Sequence, residues 1–204
     1  VSNVGCTVFR SSGRSPSFSG NPLNRRTVRL EAKKAVFAIE YAYYFDYDIQ
    51  HLYELEHIWV YVSESGAVCG CEGSFHGKYL NEMTSLFPII EHGGTHVQLY
   101  SQPGKHAFLP RPELFELYPD PEFCCCDGAG NGGLSLPEMF EDIAHLTDVQ
   151  QEKVRSYIKK NYAFIPTWEF FQTKIDDSLY ISWSELSEKI PQFIAQELQK
   201  IGAY

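Results

Sequence analysis

The chain has 204 residues, 44% of them hydrophobic and 21% charged, with a formal net charge of -9. That length and balance predict one globular domain with a substantial core. The acid excess argues against generic nucleic-acid binding, which needs a basic surface. No apolar run reaches the roughly 18 residues of a membrane-spanning helix.

The charge is uneven, with seven basic residues and only Glu31 as an acid up to Lys34. The segment GRSPSFSGNPLNRRTVRLEAKK (13–34) reads as a solvated loop leading into a strand, with contact to an anionic surface as the weaker alternative. VGCTVF (4–9) is a short strand. KAVFAIEYAYYFDYDI (34–49) is a long apolar and aromatic strand, for which an alanine-rich helix is the competitor. YELEHIWVYV (53–62) is a strand, SESG a turn, and AVCGCEGSFHG (67–77) the partner strand. THVQLYS (95–101) adds a further strand before QPGKHAF. CCCDGAGNGGLSLP (124–137) is a glycine-rich loop without the lysine of a phosphate-binding loop.

Thr147 and Asp148 open a helix over TDVQQEKVRSYIKKNYAF (147–164). Ser182-x-x-Glu185 is a capping box that opens another, and Pro191 is expected to start a second, kinked segment. The expected fold is mainly β. A two-layer β-sandwich core spans residues 1–135, and a helical extension over 136–204 packs on it, giving an α+β single domain over 1–204.

The six cysteines permit disulfides, but their spacing is not that of a secreted scaffold. Cys69 and Cys71 share one strand face, and Cys124, Cys125 and Cys126 do not converge easily on a tetrahedral zinc. The opening VSNVGCTVFR does not read as a secretion signal. Reduced thiols in a cytoplasmic protein are expected.

DIQHLYELEHIWVYV (48–62) sets acids and histidines in an otherwise buried strand, which is costly unless they are paired or bind a metal. On a strand over 53–62, Glu54, Glu56, Ile58, Val60 and Val62 share one face; Leu55, His57, Trp59 and Tyr61 share the other. A three-residue hairpin loop with left-handed Gly66 pairs Ser63 with Ala67. Extended without a break, that register sets Glu54 opposite His76, Glu56 opposite Ser74 and Glu72 opposite Ile58. His51 joins Glu54 only if the chain bends before Tyr53. Asp46 and Asp48 are further oxygen donors, with Asp48 taken as the ligand. Six of the seven histidines lie between residues 51 and 106. His57 reads as a core residue, and His106 as a further member of the cluster.

These motifs resemble those of the necrosis-inducing (NPP1-like) proteins and, more loosely, of Vps62-related proteins, over residues 45–110. His51-Leu-Tyr-Glu54-Leu-Glu56 is similar to the H-x-x-D-x-E of their heptapeptide. Ser74-Phe75-His76-Gly77-Lys78-Tyr79 is similar to S-x-H-G-G-Y, and Lys105-His106-Ala107-Phe108 to T-H-A-F. The resemblance implies a β-sandwich with a divalent cation at one sheet edge, lined by His51, Glu54 and Glu56, with His76 in the same cavity. The heptapeptide is not intact, with Ile49 at the glycine position and Leu55 at the tryptophan, so cytolytic activity is not carried over.

The expected function is a divalent-metal-dependent hydrolase or lyase. Asp48, His51, Glu54 and Glu56 would hold Mg, Ca, Mn or Zn, and His76 or His106 would carry the proton. The alternative is a metal-organised module that binds a glycan, a lipid head group or another small molecule without catalysis. A purely structural pairing of the acids is the third reading.

Overall fold

The structure, a computed structural model, describes residues 1–18, 26–84, 86 and 89–204. Residues 19–25, part of the expected basic loop, lie outside the described residues.

One mixed sheet of seven strands organises the fold. Its strands are β1 (Asn3–Phe9), β2 (Phe37–Tyr47), β3 (His51–Val62), β4 (Val68–Phe75), β5 (Lys78–Asn81), β6 (Gly133–Leu134) and β7 (Tyr180–Ser182). The spatial order is β7-β1-β2-β3-β4-β5, with β6 beside the start of β3. β7 and β6 run parallel to β1 and β3; the other pairs are antiparallel. The alternation of the aromatic and β-branched run in β2 gives alternate burial, with Ala38, Glu40, Ala42 and Tyr44 turned inward. β3 is buried on both faces from Glu56 onward, as its unbroken apolar run requires.

Two helices, α1 (Asp148–Tyr162) and α2 (Trp183–Ile201), share a core with Tyr44, Leu52 and Leu134. Thr147 and Gln150 form the capping box of α1, and Ser182 accepts from the Glu185 amide at the start of α2. α2 lies so close to β1 that a Cβ on Gly5 would meet Leu186 and Trp183 at 2.9 and 3.0 Å. Pro191 does not divide this helix. Leu186, Ile190, Ile194 and Leu198 form one buried stripe across it, each worth roughly 1.5–3 kcal/mol. That stripe outweighs the roughly 3 kcal/mol cost of an interior proline. The C-terminal region is also more than a helical extension, because residues 180–182 add an edge strand to the sheet.

The other half of the same sheet face is covered by Phe18, Val28 and Leu30, packed on Trp59 and Tyr61. The opposite face, with Ile58, Val60 and Cys71, is covered by Ile89, Phe108 and partly buried residues between 83 and 99. Among the described residues the only strands of this second cover are two-residue ladders, Ile90–Glu91 with His96–Val97 and Tyr100–Ser101 with Phe108–Leu109. The expected 95–101 strand is therefore two short pieces. The fold is α+β around one sheet.

The hairpin closes as expected: the Ser63 amide donates to the Ala67 carbonyl at 2.9 Å, and Gly66 has φ of 83°. The register beyond it differs. Val62 pairs with Val68 but Tyr61 with Gly70, so a bulge at Cys69 shifts every later pair by one residue. Glu72 therefore lies opposite Trp59, not Ile58, and points to the other face.

Candidate metal centre

The site is built where the chain turns from β2 into β3. The Asp48 amide donates to the His51 carbonyl at 2.9 Å, and its Oδ1 accepts from the Gln50 amide at 2.5 Å. The Asp48 side chain is fully buried. Tyr53 then takes the left-handed conformation, φ 78°, which a bulky residue rarely adopts. This is the bend that brings His51 to the side of Glu54, against the strict alternation of a strand. Ligand atoms of Asp48, His51 and Glu54 lie within 4.8 Å of one another.

The glycine-rich loop fixes this corner from outside. The Gly130 and Gly132 amides donate to the carbonyls of Ile49 and Gln50 at 2.9 and 2.8 Å, and Gly133 pairs with His51. Its composition suits close backbone approach, and these bonds brace the corner.

The His51 ring is oriented by Nδ1, 2.8 Å from the Tyr53 carbonyl. A carbonyl only accepts, so Nδ1 carries the proton and Nε2 keeps its lone pair, 3.7 Å from Asp48 Oδ2. Metal-binding histidines are oriented by a second-shell bond of this kind. Burial lowers the affinity of His51 for a second proton, partly opposed by Asp48. Burial, then Glu56 and Asp48, pushes the Glu54 carboxyl well above the usual range. Burial opposes ionisation of Asp48 too, but the hydrogen bond shared with Glu54, then His51, Lys105 and the Gln50 amide, hold it below that range. Lys105 makes an ion pair with Asp48 Oδ2.

Glu56 is also buried, and burial moves its carboxyl up to about 7. It accepts a hydrogen bond from Ser74 and lies outside the three-residue ligand group. Asp46 accepts from Ser2 at 2.9 Å and is likewise outside it.

His76 does not face Glu54 across a ladder. It occupies the two-residue turn between β4 and β5, where Phe75 pairs with Lys78 and His76 and Gly77 have φ of 49° and 72°. Two positive φ values are the signature of a type I′ hairpin, which the histidine conceals in the sequence. His76 Nε2 lies 2.9 Å from Gln102 Oε1, and its ring stacks on Tyr118. Burial and then Lys105 lower its basicity. His106 packs on β2, within reach of the Asp48 charge. Its ring lies flat on Phe45, centroids 3.8 Å apart, and burial brings its titration down to about 4.

His76 opens on a cleft of about 240 Å³, with Gln50, Gln102, Lys105, Tyr118, Phe123 and Cys124 also in its lining. His106 is not among the lining residues. Lys105 thus joins the acid cluster to the cleft. It stands in the KHAF stretch beside His106, in a turn with no regular alternation. No periodicity points to Lys105; Tyr118 and Phe123 come from a segment without a recognisable pattern, and Cys124 stands in the triple-cysteine run. A scan of protein-family models, a search of curated proteins and a search of solved structures each gave no match to this chain.

Proposed function

We propose that this chain binds a divalent cation through Asp48, Nε2 of His51 and Glu54, and that it acts as a metal-dependent hydrolase or lyase on a small molecule in the adjoining cleft. The observation that carries this reading is the convergence of the three donors, with the His51 ring held by Tyr53 in the ligating tautomer. One imidazole and two carboxylates suit zinc or manganese better than calcium, which takes six to eight oxygens. The motif resemblance supports His51 and Glu54; it also implies Glu56, which lies outside the three-residue group.

When bound, the cation supplies Lewis acidity to a substrate oxygen or to water. Asp48 and Glu54 carry the negative charge that retains it, and Glu54 gives up its proton on binding. Lys105 leaves Asp48 and holds an anionic group of the substrate in the cleft it already lines. His76 moves the proton at the cleft wall.

A second reading, a glycan-binding module, rests on Tyr118 and Phe123, which are 43% and 46% exposed at the cleft beside Gln50 and Gln102. Exposed rings with amide side chains suit a sugar face and its hydroxyls.

The deciding experiment is elemental analysis of protein purified without added metal, with thermal melting before and after chelator. A near-stoichiometric cation lost in Glu54→Gln and His51→Ala supports the site. No cation, and no shift in melting on adding zinc, manganese, magnesium or calcium, removes it and leaves Asp48 as a partner of Lys105.

A further inference from the structure

The triple-cysteine run lies at the same cleft but plays no part in the cation site. Cys124 and Cys125 belong to a short 3-10 turn, Phe123–Cys125, and their sulfurs are 3.7 Å apart. The two thiols have unlike surroundings. Cys124 is half-buried and lines the cleft together with Lys105 and His76. Cys125 is fully buried against Ile49 and Ala129, with Sγ 3.3 Å from the Pro103 carbonyl. Cys126 turns away, its Sγ 3.3 Å from the Phe164 carbonyl. One sulfur therefore meets the cleft, and a second stands directly behind it.

We propose that Cys124 and Cys125 are a two-electron redox pair that closes to a disulfide when a hydroperoxide enters the cleft. The Cys124 sulfur attacks one peroxide oxygen, the O–O bond breaks, and the departing oxygen takes up the thiol proton. The hydroperoxide is reduced to water or an alcohol, and Cys124 is left as a sulfenic acid. The Cys125 sulfur attacks that of Cys124, the S–O bond breaks, and hydroxide leaves as water with the Cys125 proton. Two thiols have then lost two electrons and two protons.

The surroundings suit this order of events. The hydrogen bond from Cys125, then the Lys105 charge, hold the Cys124 thiol below its ordinary range against the effect of burial. A lowered thiol of this kind is the one that attacks peroxide. Adjacent Cα atoms lie about 3.8 Å apart, closer than the roughly 4.4–6.8 Å of ordinary disulfides, so reductant reopens the bridge readily. Closure also takes Cys125 off the Pro103 carbonyl, on the turn that carries Lys105.

The test treats the folded protein with hydrogen peroxide, alkylates the remaining thiols after denaturation, and maps them by mass spectrometry. The expected result is that Cys124 and Cys125 lose alkylation together, with loss of the mass of two hydrogens, and that dithiothreitol restores both. Cys126→Ser should respond as the parent does. In Cys124→Ser, Cys125 should stay reduced at the same peroxide dose. A sulfenic acid persisting at Cys124 with Cys125 still alkylated, a bridge that includes Cys126, or three unchanged thiols would each overturn the proposal.

Discussion

Two buried polar clusters flank β3, and they are built on opposite plans. On one face, Glu40 accepts hydrogen bonds from Ser15, Ser17 and Trp59, and Glu72 is met by Arg26 and the Tyr61 hydroxyl. Arg26 itself lies over the rings of Trp59 and Tyr79. His57 stacks on Trp59 and shares a hydrogen bond with Ser17 at 2.9 Å. Among the described residues no acid meets its Nδ1, so Ser17 and His57 lack the third member of a nucleophile–base–acid relay. At the β2–β3 corner, by contrast, Asp48, Glu54 and Glu56 crowd together with one lysine, and a cleft adjoins them. Acids surrounded by matched donors are structure; acids pressed together beside a cleft are a candidate site. The difference lies in the number of donors per carboxylate, since both clusters are buried.

The largest expected effect would break the first cluster. Arg26→Ala strands Glu72 in the core and should cost about 3–5 kcal/mol in urea denaturation. A loss under about 1 kcal/mol would mean that Lys33, 3.6 Å from Glu72, is partner enough. Next comes the cation. At a free concentration near a hundred times its dissociation constant, zinc or manganese should stabilise the fold by about 2.7 kcal/mol. Glu54→Gln should abolish that gain while leaving the metal-free protein as stable or more so, because the amide replaces a carboxyl already driven to its neutral form. Isothermal titration should also show tighter binding as pH rises, as Glu54 gives up its proton.

The pH dependence of folding separates the groups by sign. Glu56 has a raised folded value, so its contribution is full below its unfolded value, about 4.3, and is lost as pH rises toward about 7. His106 has a lowered one, so its contribution is full above about 6.5 and is lost as pH falls toward about 4. Denaturation curves between those limits should therefore change slope in opposite senses in Glu56→Gln and His106→Gln. Equal slopes in both variants would contradict the assignment. The smallest effect on stability is expected from His76→Asn, which keeps a residue tolerant of the left-handed turn. It should alter stability by about 0.5 kcal/mol or less and leave metal affinity unchanged, yet suppress turnover in the cleft.

Much of the candidate site was legible along the chain. The acids and histidine of 48–56 stand out because they interrupt an apolar strand, and His57 among aromatics reads correctly as core. The cleft was not legible. It is made by a turn at 102–107 and a loop at 118–124 that carry no periodic signal. The partners of His76 changed because one unpaired residue at Cys69 reverses the faces of β4, and no local property of that cysteine announces a bulge.

The sequence by itself determined the strands of the hairpin, the two capped helices and the presence of ionisable groups in a buried segment. Each follows from short-range alternation, capping chemistry or the cost of desolvation. Only the tertiary structure decided that the hydrophobic segments form one covered sheet, and that Tyr53 bends His51 onto Asp48 and Glu54. Only it set Lys105 between the acids and the cleft, and Cys125 behind Cys124. These are contacts between residues far apart in the chain or on the far side of a backbone irregularity, where packing of the whole outweighs the preference of any local stretch.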